Sequence, residues 1–286
     1  MFRYFTSVEE INDEVVRIEG TDAKHLKNTL RAQIGDEVSI VTDDGEYVAG
    51  ITSLENDSII CKIKYKTDIN NEASIHITLC QGLPKQAKME DIIQQNVEIG
   101  VKSFIPLITE RTVVKLNDKS RELKKLDRWR KIAHESSKQS KRNIVPTVED
   151  ILTVNELINK IKDESAKIIV PYELEGNKTM KEALAKDTLA DKKEKYYIII
   201  GPEGGFDEKE IRKFQEIGAD IVTLGKRILR TETAGIVASS IILYECDEMS
   251  VWKKALHTFI WDATTMSRLR RDYGHNGRIR WSMNMS

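Results

Sequence analysis

The sequence predicts an α/β protein in two parts, a small β-barrel or sandwich followed by a parallel sheet covered on both faces. Three observations carry this expectation. Residues 15–65 read as short strands with turn chemistry between them, residues 66–74 (KTDINNEAS) are polar and aperiodic, and from residue 75 apolar strands alternate with amphipathic helices. The boundaries drawn are 1–70 for the barrel, 75–248 for the α/β domain and 251–286 for an atypical tail.

Taken in order, VVRI, EVSIV, YVAGI and IICKIKY are the strands of the first part, with an Asp44-Gly45 hairpin signal and with Ile59, Cys61, Ile63 and Tyr65 on one face. A short helix beginning near Thr21 or Asp22 puts Ala23, Leu26 and Leu30 on one side, with His25 and Arg31 near its ends. In the second part SIHITLCQGL is a strand, and the helix after it, over 86–99, buries Met89, Ile92, Ile93 and Val97. SFIPLI is the next strand, then a long helix over 120–140 turns Leu123, Leu126, Trp129, Ile132 and Ala133 inward and its Lys and Arg outward. KIIVPY, YYIIIG and DIVTLG are three further apolar strands, and no internal repeat is found.

Composition narrows the function classes. Hydrophobic residues make up 40% and charged residues 32% of the chain, which describes a solvated globular protein. No run reaches the roughly 18 apolar residues that span a bilayer, and MFRYFTSVEE lacks the layout of a signal peptide, so a cytoplasmic location with no membrane partner is expected. Cys61, Cys80 and Cys246 are far apart and form no metal-type spacing, so they read as core residues. The net charge of -1 conceals segregation. Residues 1–70 hold 8 Lys+Arg against 14 Asp+Glu, whereas residues 111–142 hold 12 against 4, a basic field suited to phosphates. The tail, with three of the four tryptophans and an excess of Arg over Lys, is either an RNA-binding extension or foreign to the domain, and no function is assigned to it.

Two segments can carry chemistry. In YYIIIGPEGGFDEKEI an apolar strand runs into Gly201-Pro202-Glu203-Gly204-Gly205, so that backbone faces a ligand, and Asp207 with Glu210 forms an N-cap pair for the helix beyond. No GxG and no Gly-Lys-Ser/Thr is present, which removes the dinucleotide and P-loop fingerprints. In DIVTLGKRILRTETAGIVASSIILYE, Arg227, Arg230, Thr231, Glu232 and Thr233 precede an apolar helix. Two strand ends with such loops flank one pocket at the C-terminal edge of a sheet, although Arg230 and Glu232 also read as a surface ion pair.

GPEGGF followed by LGKRILRTETA resembles the two C-terminal motifs of the ribosomal RNA small subunit methyltransferase E family. RYF at 3–5, HLKNTLRAQIGDEV at 25–38, QGLPK at 81–85, VEIGV at 97–101, PLITERTVV at 106–114 and RWRKIAHESSKQSKRNIVP at 128–146 extend the resemblance over roughly residues 2–248. Gln95 stands where many family members carry Lys.

The resemblance implies a PUA-like β-barrel, a SPOUT-type α/β domain with a deep trefoil knot, and a homodimer. It implies S-adenosyl-L-methionine as cofactor, no metal, and N3 of one uridine of 16S rRNA in the small ribosomal subunit as target. Carried onto this chain, the cofactor cleft comprises Ile200, Gly201, Pro202, Gly204, Gly205, Leu224, Gly225, Ile228, Leu229 and Thr233. Glu232 is the candidate base or a group orienting Arg230, and Arg230 or Arg142 the candidate stabiliser of a uracil anion. Arg3, Arg31, Arg111 and Arg128 are the candidate RNA contacts. A non-catalytic RNA binder and a tRNA methyltransferase are the rival readings.

Overall fold

The computed structural model describes residues 1–113, 119–174, 176, 178–185 and 194–249, apart from the side chains of Lys119 and Arg121, so the tail lies outside the described residues. The first sheet is curled and has the order β1-β3-β4-β5-β2, formed by β1 (Phe2–Phe5), β2 (Val15–Glu19), β3 (Glu37–Thr42), β4 (Gly45–Leu54) and β5 (Ser58–Thr67). Only the β1–β3 pair in it is parallel. Alternating side chains fill its inside with Val16, Ile18, Val38, Ile40, Ala49, Ile51, Ile59 and Cys61, and Ala23 and Leu26 close it.

Three expectations for this part need correction. Residues 2–5 form a strand, and its alternation turns Arg3 inward, where the guanidinium is 6% exposed and meets Glu46 at 2.5 Å. Arg3 is therefore not presented to RNA. Leu30 is 51% exposed, because α1 (Gly20–Lys24) passes into a wide turn over His25–Thr29, closed by Leu30 N–H to His25 O at 3.1 Å. More residues per turn carry position 30 off the face that Ala23 and Leu26 share. Tyr65 is also open, beyond two register shifts in the β4–β5 pairing.

The second sheet has the order β12-β10-β11-β6-β7-β8, with β9 (Leu152–Thr153) also on β7, and all its pairs are parallel. Its strands are β6 (His76–Gly82), β7 (Ser103–Ile108), β8 (Thr147–Val148), β10 (Lys167–Pro171), β11 (Lys195–Ile200) and β12 (Asp220–Val222). Period-two alternation splits each central strand between two cores. Ile77, Leu79, Phe104, Ile169, Tyr196 and Ile198 face α2 (Lys88–Ile99), α3 (Lys119–Gln139), α5 (Met180–Leu184) and α7 (Thr231–Glu245). Cys80, Ile105, Ile168, Val170, Tyr197 and Ile199 face α4 (Val154–Ile161) and α6 (Glu208–Glu216). Burial on both faces explains why these strands read as unbroken apolar runs.

The long helix buries Leu126, Trp129 and Ala133, but Leu123 is 57% exposed, one turn ahead of that stripe. Asp207 and Glu210 form the expected reciprocal cap of α6, with Glu210 Oε2 accepting Asp207 N–H at 2.9 Å and Asp207 Oδ1 accepting Lys209 N–H at 3.0 Å. All three cysteines are buried, and none of them is in a disulfide.

Candidate functional site

At the C-terminal edge of the second sheet, the segments after β10, β11 and β12 enclose a cavity of about 530 Å³, within the span typical of small-molecule sites. One wall is Ile200 to Glu203, with Gly205 and Phe206. The other runs from Thr223 to Glu232. Glycine is needed at the turns, since Gly205 has φ +68° and Gly225 φ +108°. The loop after β11 folds back through Gly205 N–H to Pro202 O at 2.9 Å.

This loop is pressed against the neighbouring strand. A Cβ on Gly82, at the end of β6, would lie 2.6 Å from Cδ and N of Pro202. Beneath it, the fully buried Gln81 donates to Thr231 Oγ1 at 2.8 Å, and the Thr231 hydroxyl donates to Gly201 O at 2.6 Å. The chain of bonds fixes the first residue of α7 to the end of β11, so the two walls hold one geometry.

The rim carries charge. Lys88 Nζ, at the start of α2, is 3.1 Å from Glu203 Oε1 and 3.4 Å from Glu232 Oε2. Glu203 also accepts Lys85 N–H at 3.1 and 3.2 Å. The Glu203 hydrogen bond raises the Lys88 pKa against the opposing effect of burial. For Glu203, burial pushes the carboxyl up, but its own N–H, the Lys85 N–H and the Lys88 ammonium together hold it below its ordinary value. Burial, then Glu173 and Glu208, raise the Tyr172 phenol.

Of the ten expected cofactor positions, Ile200, Gly201, Pro202, Gly205, Leu224, Gly225, Ile228 and Leu229 line the cavity. Ile228 is 89% exposed, a large apolar side chain open to an occupant. Gly204 and Thr233 are not in the lining. Gly204 faces away, against Arg111, where a Cβ would meet Arg111 Cβ at 3.1 Å. Thr233 belongs to the first turn of α7, its N–H bonded to Arg230 O at 2.9 Å.

Arg230 and Glu232 both line the cavity and stand 3.9 Å apart, whereas Arg142 is elsewhere. Its guanidinium is 3% exposed and fully engaged, donating to the Glu72 carboxylate at 2.6–3.0 Å and to the carbonyls of Val97 and Val101 at 2.8 and 2.9 Å. A guanidinium spent on such bonds is a structural strut, which corrects its expected place beside the substrate.

Arg111 donates to Gly204 O at 3.0 Å and thereby braces the loop after β11. Arg31, Arg128 and the α3 residues Lys124, Lys125 and Lys131 are exposed, and Arg128 reaches Glu90 at 2.6 Å. Sequence reasoning missed Lys88, Tyr172, Glu173 and Gln81 and read Glu203 as backbone only. Nothing local marks Lys88 or Gln81, because the register of β6 against β11 and the docking of α7 bring them to the site.

Comparison with known proteins adds to this geometry. Residues 71–243 match the RNA methyltransferase domain family and residues 18–64 the RNA methyltransferase PUA domain family. The ribosomal RNA small subunit methyltransferase E of Bacillus subtilis (strain 168) is 36% identical over 252 residues, covering 86% of this chain and 98% of the relative. That of Mesomycoplasma hyopneumoniae (strain 232) is 31% identical, covering 82% and 96%. The crystal structure of the Neisseria gonorrhoeae protein of the same name, bound to S-adenosyl methionine, superposes with TM-score 0.72 at 30% identity, covering 85% of this chain and 97% of that one.

Proposed function

Because this chain belongs to the ribosomal RNA small subunit methyltransferase E family, we propose that it methylates N3 of one uridine of 16S rRNA in the small ribosomal subunit, with S-adenosylmethionine as donor. The observation that carries the reading is the cavity between the two glycine-bearing loops, built from eight of the ten positions that the motifs mark.

The residues fit the cofactor. Ile200, Gly201, Pro202, Gly205, Leu224, Gly225, Ile228 and Leu229 would hold it, and the positive φ of Gly205 and Gly225 turns the backbone around it. When bound, it supplies a methyl group already activated as a sulfonium.

The chain must position the base and remove the N3 proton. In this reading Glu232 takes that proton and frees the N3 electron pair for the methyl group, which the bound donor would give up, keeping the carbon–sulfur pair as a neutral thioether. Arg230, 3.9 Å from Glu232 and 81% exposed, is free to face the uracil carbonyls as they gain negative charge.

Residues 1–70 serve as the RNA-binding barrel through Arg31, and residues 75–248 as the knotted methyltransferase domain, with the exposed cations of α3 on phosphates. A homodimer is part of the reading. Its support is α7, which carries no charge from Thr233 to Tyr244 and leaves Tyr244 72% exposed.

The test is transfer of labelled methyl groups to small subunits from a strain lacking this modification, followed by nucleoside analysis. A single N3-methyluridine is expected. Label in tRNA, in another nucleoside, or nowhere would replace the reading with a tRNA enzyme, another specificity, or a non-catalytic RNA binder.

A further inference from the structure

At the rim of the cavity one ammonium stands between two carboxylates, one on the loop after β11 and one at the start of α7. Lys88 Nζ hydrogen-bonds Glu203 Oε1 at 3.1 Å and lies 3.4 Å from Glu232 Oε2. Glu203 is the anchored partner, since the Lys85 N–H donates to both its oxygens. Among the described residues, Glu232 Oε2 is buried with no hydrogen bond of good geometry, and it is held by a long ion pair to the Lys88 ammonium at 3.4 Å. A buried carboxylate oxygen held only at that distance still has capacity to accept, and a substrate N–H would fill it.

We propose that Lys88 and Glu203 are positioning residues for Glu232: Glu203 draws the Lys88 ammonium toward itself, and Glu232 keeps one oxygen ready to accept the N–H of a uracil. The inference rests on the methyltransferase reading above. It adds a division of labour among three side chains, each from a different element. Glu203 in the loop after β11 fixes the cation, Lys88 at the start of α2 holds the carboxylate in place through the longer 3.4 Å contact, and Glu232 at the start of α7 meets the base. A full hydrogen bond from Lys88 would occupy the acceptor, while removal of Lys88 would leave Glu232 facing Glu203 with no cation between them.

The test uses the full chain as Lys88→Met, Lys88→Arg, Glu203→Gln and the double variant Lys88→Met with Glu203→Gln. Single-turnover transfer to small subunits is measured at saturating cofactor, together with the Kd for S-adenosylmethionine by calorimetry. Lys88→Met is expected to slow transfer about tenfold or more with a Kd within about twofold of the unaltered chain, because transition-state positioning and not cofactor binding is lost. Lys88→Arg should recover most of that rate. Glu203→Gln should also slow transfer, the double variant should be no slower than the worse single, and a crystal structure of Glu203→Gln should show Lys88 Nζ moved onto Glu232.

A Kd that weakens by the same factor as the rate would make Lys88 a cofactor ligand and overturn the proposal, as would losses that simply multiply in the double variant. Normal transfer by the unaltered chain with unaffected variants would overturn the proposal alone. No transfer by the unaltered chain, with cofactor still bound, would overturn the methyltransferase reading and this proposal with it.

Discussion

Asp44 shows how one side chain at a hairpin carries pH-dependent stability. Its carboxylate accepts from Thr42 Oγ1 at 2.6 Å, Lys66 Nζ at 3.0 Å and the Tyr47 hydroxyl at 2.8 Å. The Thr42 hydrogen bond, then those of Lys66 and Tyr47, bring its pKa down from 3.8 to about 2, and the same contact raises the Tyr47 phenol. A value depressed in the folded state stabilises above the unfolded value and is lost as pH falls from about 3.8 to about 2. Asp44→Asn should therefore lower Tm at pH 7, with the gap to the unaltered chain closing near pH 2. A gap independent of pH in thermal melts would assign the effect to lost packing. The expected Asp44-Gly45 signal marks the right hairpin, but the two turn residues are Asp43 and Asp44, since Thr42 pairs with Gly45. At this scale the sequence conveyed residue types without their surroundings. Arg3 and Arg142 read as free cations because their partners Glu46 and Glu72 are 43 and 70 residues away.

Elements were more legible, and the reason is physical. A strand buried on both faces leaves an apolar run that needs no knowledge of its neighbours, which is why β6, β7, β10, β11 and β12 stood out. The cap of α6 was also visible, because Asp207 and Glu210 satisfy each other's backbone locally. Order in the sheet was not visible, and the site depends on it. β6 lies beside β11 with Gln81 opposite Ile200, and this register brings Gly82 under Pro202. Gly82→Ala would force atoms 2.6 Å apart, and backbone on the loop side has to yield. We expect cofactor affinity to fall about tenfold, the equivalent of about 1.4 kcal/mol, while the curled sheet keeps its fold. Calorimetric titration and exchange protection of β3–β5 amides read the two effects separately, and an unchanged Kd would mean that the loop moves without altering the cavity.

On the scale of the whole molecule, the two sheets are joined by polar contacts. Asn143 Nδ2 donates to Glu46 Oε2 of β4 at 3.0 Å, and Lys138 Nζ meets Asp22 at 2.6 Å and lies 5.6 Å from the Phe2 ring centroid. Glu72, in the segment between the sheets, receives Arg142 and the Asn143 N–H at 2.8 Å. Lys138 and Asp22 are part-buried, so their pair is screened less than a surface pair, and Lys138→Met combined with Asn143→Ala should separate a single unfolding transition into two. Denaturation followed by amide exchange in β6, β7 and β11 for the α/β part and in β3–β5 for the curled sheet checks this. Coincident curves in the double variant would show that the sheets remain coupled by other contacts. The central strand also dictates when such a molecule can come into being. β6 takes β7 on one edge from nearby sequence, but its other edge waits for β11, where His76 meets Lys195. Non-local pairing of this kind folds slowly. A nascent chain leaving the ribosome holds β6 with an open edge until residue 200 has emerged, an exposed edge of the kind that favours aggregation, and the cavity beyond β11 and β12 closes only after that.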